Sequence, residues 1–351
     1  MRKIVDTILP TTMVGSYPRP KWFNYQLLGR DVRVAFKHVD HAEAFGDATA
    51  ASIHDQEEAG LDIVTDGQMC FDDYVGVIGS FCWYMYERIP GFDPAKEEHP
   101  NAVGAGTMRL VDLYKLAART AQKPLKVSVG AGPVNLAWHV YYQHYKDARE
   151  LSYALAPIFN AEMKALVAAG ATFLQLEDLG PWLPLFTGNN DDFKWIADVY
   201  RQCIDGVDAK IAFHFCYGNA WGNQLSGLIT AGYEAVLPYL YDLPIDQFVL
   251  DFANRDMAGI DALRSLPADK EIGVGVVDVR TSMVETPQKI AERIRKVLAV
   301  VPAERVYLTT DCGMKPLPRM VARMKLQALA HGAQIVRQEL GVRGLVASAS
   351  A

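Results

Sequence analysis

Short apolar runs recur along the chain, and each is followed by a longer stretch with helical periodicity. The runs cover residues 12–15, 62–65, 125–129, 172–176, 210–215, 247–250, 272–277 and 305–309, and they are rich in β-branched residues. Several are apolar at nearly every position, as expected for parallel strands covered on both faces. Helical patterns occupy residues 42–59, 151–169, 286–300 and 321–340. Gly170 is a natural stop after the second of these. Pro287 stands at an early helical position of the third, which carries Ile290, Ile294 and Val297 on one face. Strand–helix alternation repeated eight times predicts an α/β fold, a (β/α)8 TIM barrel. An open doubly wound sheet has the same periodicity.

Between Gln68 and about Arg119 the chain is longer than one crossover requires. This stretch contains Phe81, Trp83, Tyr84, Tyr86 and Phe92. It reads as an elaborated second βα loop, a lid or pocket wall, or else as a subunit interface or extra core. No linker or repeat divides the sequence. The expectation is therefore one barrel over 1–351, with 67–120 as an inserted loop or lid region.

Composition narrows the function. Lys and Arg number 35 against 41 Asp and Glu, a net charge of −6, which argues against a nucleic-acid partner. Half the residues are hydrophobic and 22% are charged, enough for a large core. No apolar run approaches the roughly 20 residues that span a bilayer. The opening MRKIVDTILPTTMVG lacks the apolar core and cleavage site of a secretory signal. A cytoplasmic protein without membrane partners is expected, and a homo-oligomer is compatible with the sequence. Five cysteines, odd in number and widely spaced, do not form a disulfide framework.

Chemically capable residues collect where the strands end. Ser16 and Asp66 follow the first two runs, Glu177 and Asp178 end the fourth, and His214 and Cys216 end the fifth. Asp251 ends the sixth, Asp278 and Arg280 follow the seventh, and Asp311 and Cys312 follow the eighth. In a barrel these ends converge on one mouth, where active sites lie. A single Asp after a strand means little, because it also caps helices.

The sharpest element is His214-Phe215-Cys216. At period two, the imidazole and thiol point the same way, and both are good zinc ligands. Cys312 completes the set if the barrel brings the last strand to the fifth. Three ligands with an open position suit a catalytic metal. The alternative is a buried histidine with two inert cysteines. Cys203 reads as packing, and Cys70 and Cys82 as packing or lid residues. Zinc held by two thiolates and an imidazole suits binding of a substrate thiol and lowering of its pKa. Activation of water for hydrolysis is the other use.

The segments TTMVGSYPRP (11–20), HFC (214–216), GVGVVDVRT (273–281) and PAERVYLTTDCGMK (302–315) resemble the catalytic half of cobalamin-independent methionine synthase. They also resemble its single-domain relatives, which include epoxyalkane:coenzyme M transferase. The likeness runs from about Thr11 to Gln338. It implies a (β/α)8 barrel, Zn2+, a small thiol substrate and a small alkyl donor. It places His214, Cys216 and Cys312 as zinc ligands, with Asp251 where the family has a fourth, Glu ligand. It implies substrate contacts at Ser16 and at the acidic pair Glu177 and Asp178. Trp138 falls one residue short of a Trp that stacks on the folate donor.

Two departures bear on the substrate. Gln68 stands where methionine synthase has an ammonium-binding Glu. Arg280, two residues after Asp278, stands where it has a His that acts as an acid. Arginine is a poor general acid but stabilises anions, so Arg280 and Asp278 are the catalytic candidates. The alternative for Arg280 is a salt bridge with Asp278 or a neighbouring carboxylate. The amino-terminal half of full-length methionine synthase has no counterpart here. These features favour epoxyalkane:coenzyme M transfer. Methyl transfer to homocysteine from methyltetrahydrofolate or methylcobalamin is the alternative, and a zinc hydrolase the alternative from another class.

Overall fold

The computed structural model describes residues 2–23, 41–69, 110–138, 144–219, 229 and 231–349. Cys70, Cys82, the aromatic stretch 81–92 and most of the expected insertion lie outside the described residues.

Among the described residues, seven parallel strands form one sheet in sequential order. They are β1 (Val64–Thr65), β2 (Leu125–Ala131), β3 (Phe173–Glu177), β4 (Lys210–His214), β5 (Gln247–Asp251), β6 (Glu271–Val277) and β7 (Val306–Thr310). The run expected to be the first strand, 12–15, is not one. Its place is taken by an isolated parallel bridge between Thr11 and Leu308. Leu308 N donates to Pro10 O and Thr12 N to Leu308 O, while Asp62 N and Ile63 N donate to Thr11 O. The segment 10–12 thus bonds to β7 on one side and to the lead-in of β1 on the other.

The sheet is strongly curled. In a flat sheet, strands four places apart lie about 19 Å from each other. Here the rings of Phe173 on β3 and Tyr307 on β7 have centroids 6.5 Å apart. They share an inner cluster with Val14, Ile63, Ala212 and Val249, against which Ile4 and Val5 pack.

Alternation explains which residues face inward. On β3 to β5, the even- or odd-numbered neighbours of the inner residues (Leu174, Leu176, Ile211, Phe213, Phe248, Leu250) join the large outer core beneath the helices. The inner positions carry polar groups that satisfy one another. Lys210 Nζ bonds Tyr307 Oη at 3.1 Å and pairs with Glu271, and Lys126 Nζ bonds Gln175 Oε1 at 2.9 Å. The apolar runs therefore conceal a polar inner file that climbs towards the carboxyl ends of the strands.

Helices cover the outer face: α1 (His41–Glu58), α2 (Leu110–Thr120), α3 (Pro133–Trp138), α4 (Ala148–Ala168), α5 (Leu183–Thr187), α6 (Asp192–Ile204), α7 (Pro287–Leu298) and α8 (Arg319–Ala349). Asp147 caps α4 by accepting from Glu150 N at 2.9 Å, and the helix ends before Gly170 at φ +108°. Thr286 caps α7 through Lys289 N, and Ile290, Ile294 and Val297 are buried as their spacing predicts. Among the described residues, no helix is long and apolar enough to cross a membrane.

Candidate metal and substrate site

His214 ends β4, Cys216 lies two residues on, and Cys312 follows β7. β4 and β7 stand three places apart, about 14 Å in a flat sheet. The curl brings one donor atom from each residue within 4.8 Å of the others. The two sulfurs are 3.6 Å apart. His214 Nδ1 bonds Val249 O at 2.9 Å, which fixes the ring, and among the described residues its buried Nε2 has no hydrogen-bond partner. An orphaned imidazole nitrogen beside two thiols is costly unless something binds it. This donor set fits zinc: soft and borderline ligands, with the second imidazole nitrogen held by a carbonyl.

The surrounding loops are tied down. Trp182 Nε1 donates to Cys216 O at 2.8 Å, and Thr310 Oγ1 to Cys312 O at 2.8 Å. Gly313 leaves room for Ser16, since a Cβ there would come within 1.9 Å of Ser16 Oγ and turn that hydroxyl away. Ser16 is therefore packed directly against the residue after Cys312, and its O accepts from Met314 N at 2.7 Å. A hydrogen bond from Cys216 holds the Cys312 thiol well below its ordinary range, aided by His214 and Arg280. Donating that bond, together with burial, pushes the Cys216 thiol up.

Asp251, at the end of β5, is not brought into the donor group. Its Oδ1 accepts from Tyr217 N at 3.2 Å and from Tyr233 Oη, and its Oδ2 from Arg280 Nη2 at 3.0 Å. The buried Arg280 guanidinium also lies 3.6 Å from Asp311 Oδ2 and donates from Nε to Gly218 O at 3.2 Å. Asp311 in turn accepts from the backbone N–H groups of Phe252, Ala253 and Asn254. Arg280 thus has the neighbouring-carboxylate bridges weighed from sequence, with Asp251 and Asp311 as its partners. Asp278 does not pair with its side chain. Asp278 Oδ1 accepts from Arg280 N at 2.8 Å, a local turn.

The acidic pair divides by strand alternation. Asp178 turns outward and accepts from Val134 N, Asn135 N and Gly180 N at 2.7–3.0 Å, which anchors the start of α3. Its carboxyl is pushed up to about 7 by burial. Glu177 turns inward, and three side chains donate to its Oε1: Ser128 Oγ, Gln175 Nε2 at 2.8 Å and Gln68 Nε2 at 3.2 Å. None of these three bonds uses Oε2. Gln68 sits at φ +52°, beside Gly15, where a Cβ would be 2.7 Å from its Nε2. Trp138 ends α3, 37% exposed, with its ring 5.3 Å from that of Phe186.

Sequence reasoning did not single out Tyr233, Ser128, Gln175 or Lys126. Tyr233 has no local signal, because only the fold brings it to Asp251. The other three share the inner-face parity of Glu177 and His214, and period two along β2 and β3 marks them.

A curled parallel α/β sheet that gathers a potential metal-binding His/Cys/Cys group at the carboxyl ends of its strands is the architecture of a barrel-type enzyme. The sequence profile of "Cobalamin-independent synthase, Catalytic domain" matches residues 9–334. The chain is 32% identical over 354 residues to a methionine synthase of Saccharolobus solfataricus, covering 96% of this chain and 97% of that one. It is 33% identical over 346 residues to a methionine synthase of Sulfurisphaera tokodaii, with 96% and 95% covered. A B12-independent methionine synthase from a Shewanella species, solved with selenomethionine, superposes with a TM-score of 0.79 at 30% identity. That match covers 96% of this chain and all of the other. The chain belongs to the cobalamin-independent methionine synthase catalytic-domain family. These relatives favour the methionine synthase alternative. The preference for epoxyalkane:coenzyme M transfer finds no support among them. Both of these methionine synthases are matched over nearly their whole length, 97% and 95%.

Proposed function

We propose that this enzyme transfers a methyl group to the sulfur of homocysteine, forming methionine, with zinc held by His214, Cys216 and Cys312. The observation that carries the reading is the buried donor group, three ligand atoms within 4.8 Å with His214 Nε2 unpartnered. Zinc in that position supplies affinity for a thiol and keeps it as the thiolate.

The chain's own residues do the rest. Glu177 presents Oε2 to the substrate ammonium while three donors hold Oε1. Gln68 supplies one of these donors, so an amide in place of a second carboxylate organises Glu177 rather than repelling it. A sulfonate thiol brings no ammonium to meet the Glu177 carboxylate and sets its own negative charge near it. Ser16 lines the metal side against Gly313. Arg280 and Tyr233 hold Asp251 beside the thiols, where it serves as an outer support or as a ligand after rearrangement. In the transfer step the sulfur–methyl bond forms as the bond from methyl to its donor breaks. We read the sheet, with segment 10–12 bonded to both edges, as a closed (β/α)8 barrel forming one domain over 1–351. The 67–120 stretch is its inserted loop.

The test is to incubate zinc-loaded protein with homocysteine and either methyltetrahydrofolate or methylcobalamin, and to follow methionine by mass spectrometry. Methionine formation with either donor is expected. Thioether formation only from coenzyme M and an epoxide would overturn the reading.

A further inference from the structure

One buried cation is not used by the site as described. Lys126 on β2 is fully buried, yet among the described residues its ammonium makes a single side-chain hydrogen bond, to Gln175 Oε1 at 2.9 Å. The nearest ring, that of Phe173, lies 6.0 Å from Nζ. Burial pulls the Lys126 ammonium down to about 7, and the Glu177 charge opposes that fall. A buried charge with one neutral partner is costly, so the contact calls for a compensating role.

Gln175 supplies the link. Its Oε1 faces Lys126, and its Nε2 donates to Val14 O at 2.9 Å and to Glu177 Oε1 at 2.8 Å. As the ammonium, Lys126 can only donate, so it fixes which end of the amide is oxygen. A cation on the amide oxygen also strengthens donation from the amide nitrogen. We infer that Lys126 is a positioning residue for substrate recognition, acting through Gln175 to hold Glu177 with Oε2 free for an ammonium group. The inference rests on the reading of Glu177 as the ammonium acceptor.

The experiment compares two thiols that differ only in the amino group, homocysteine and 4-mercaptobutanoate. Calorimetry on zinc-loaded wild type, Lys126→Met, Gln175→Leu and the double variant gives each preference. Wild type is expected to favour homocysteine. Each single variant is expected to lose that preference by about tenfold, with zinc content and 4-mercaptobutanoate binding unchanged. The double variant is expected to be no worse than the poorer single one, because both changes cut the same relay. If Lys126→Met fails to fold, Lys126→Gln keeps a donor without the charge, and a several-fold loss of preference is expected. Preference retained within about twofold in either folded Lys126 variant, or equal loss for both thiols, would overturn the inference. A wild type that binds both thiols alike would instead overturn the role of Glu177 itself.

Discussion

Cys216 and Cys312 lie 96 positions apart in the chain, yet their sulfurs stand 3.6 Å from each other. Only curvature of the sheet makes this contact, because the strands that carry them are three places apart. Replacing either by serine is expected to reduce bound zinc from about one per chain to a small fraction. Cys203, buried in α6 away from the group, is the control. Cys203→Ala is expected to cost about 1–2 kcal/mol of stability and to leave zinc content intact. Elemental analysis with denaturant unfolding measures both, and a Cys312→Ser protein with full zinc would contradict the assignment.

Glu177 is expected to govern substrate affinity rather than metal binding. Glu177→Gln keeps the shape and removes the charge that meets the ammonium. The KM for homocysteine should rise about tenfold or more while zinc content stays at the wild-type level. Steady-state kinetics against elemental analysis separates the two effects. Parallel loss of both would make Glu177 part of the metal site instead.

Arg280 is locked between two buried carboxylates, so its removal strands them. Arg280→Met is expected to destabilise the fold by about 3–5 kcal/mol, as breaking buried ion pairs does. Urea unfolding of wild type and variant at neutral pH measures the loss. A change below about 1 kcal/mol would show that the pairs contribute no more than exposed ones do.

Glu285 ties the loop after β6 to the helices. It accepts from Asp278 N at 2.8 Å and pairs with Arg293 of α7 at 3.0 Å and Lys325 of α8 at 2.7 Å. Burial acts to raise its carboxyl, but the hydrogen bond and charge of Lys325 together with backbone N–H donors, that of Asp278 among them, outweigh it and leave it below the usual range. A depressed carboxyl stabilises the fold above its unfolded pKa, and that stability is lost as pH falls through the folded value. Glu285→Gln is therefore expected to cost about 3–5 kcal/mol at neutral pH. The deficit should narrow as wild type is acidified below the ordinary glutamate range. Unfolding series at several pH values check this, and a deficit constant down to acid pH would contradict it.

Much of this was legible in the sequence because barrel chemistry sits at strand ends, and strand ends are easy to find. The H-x-C spacing placed His214 and Cys216 on one face, and the strand count placed Cys312 near them. The role of Asp178 was not legible, since only the bend into α3 shows that it caps a helix while Glu177 faces inward. The partners of Arg280 were also hidden, because Asp251 and Asp311 come from other strands. The first expected strand failed for a local reason: residues 10–12 bond both edges of the sheet without pairing far enough to form a ladder. The preference for epoxyalkane:coenzyme M transfer finds no support among the relatives, and its basis at Gln68 has a structural account. Gln68 read as a lost charge, whereas its amide is one of the donors that organise Glu177.

Zinc-edge X-ray absorption on the loaded protein, before and after homocysteine, tests the central claim most directly. The spectrum without substrate is expected to show about two sulfur ligands and an imidazole, and about three sulfurs once homocysteine binds. A sulfur count unchanged by homocysteine, with an oxygen ligand retained, would contradict thiol binding at His214, Cys216 and Cys312.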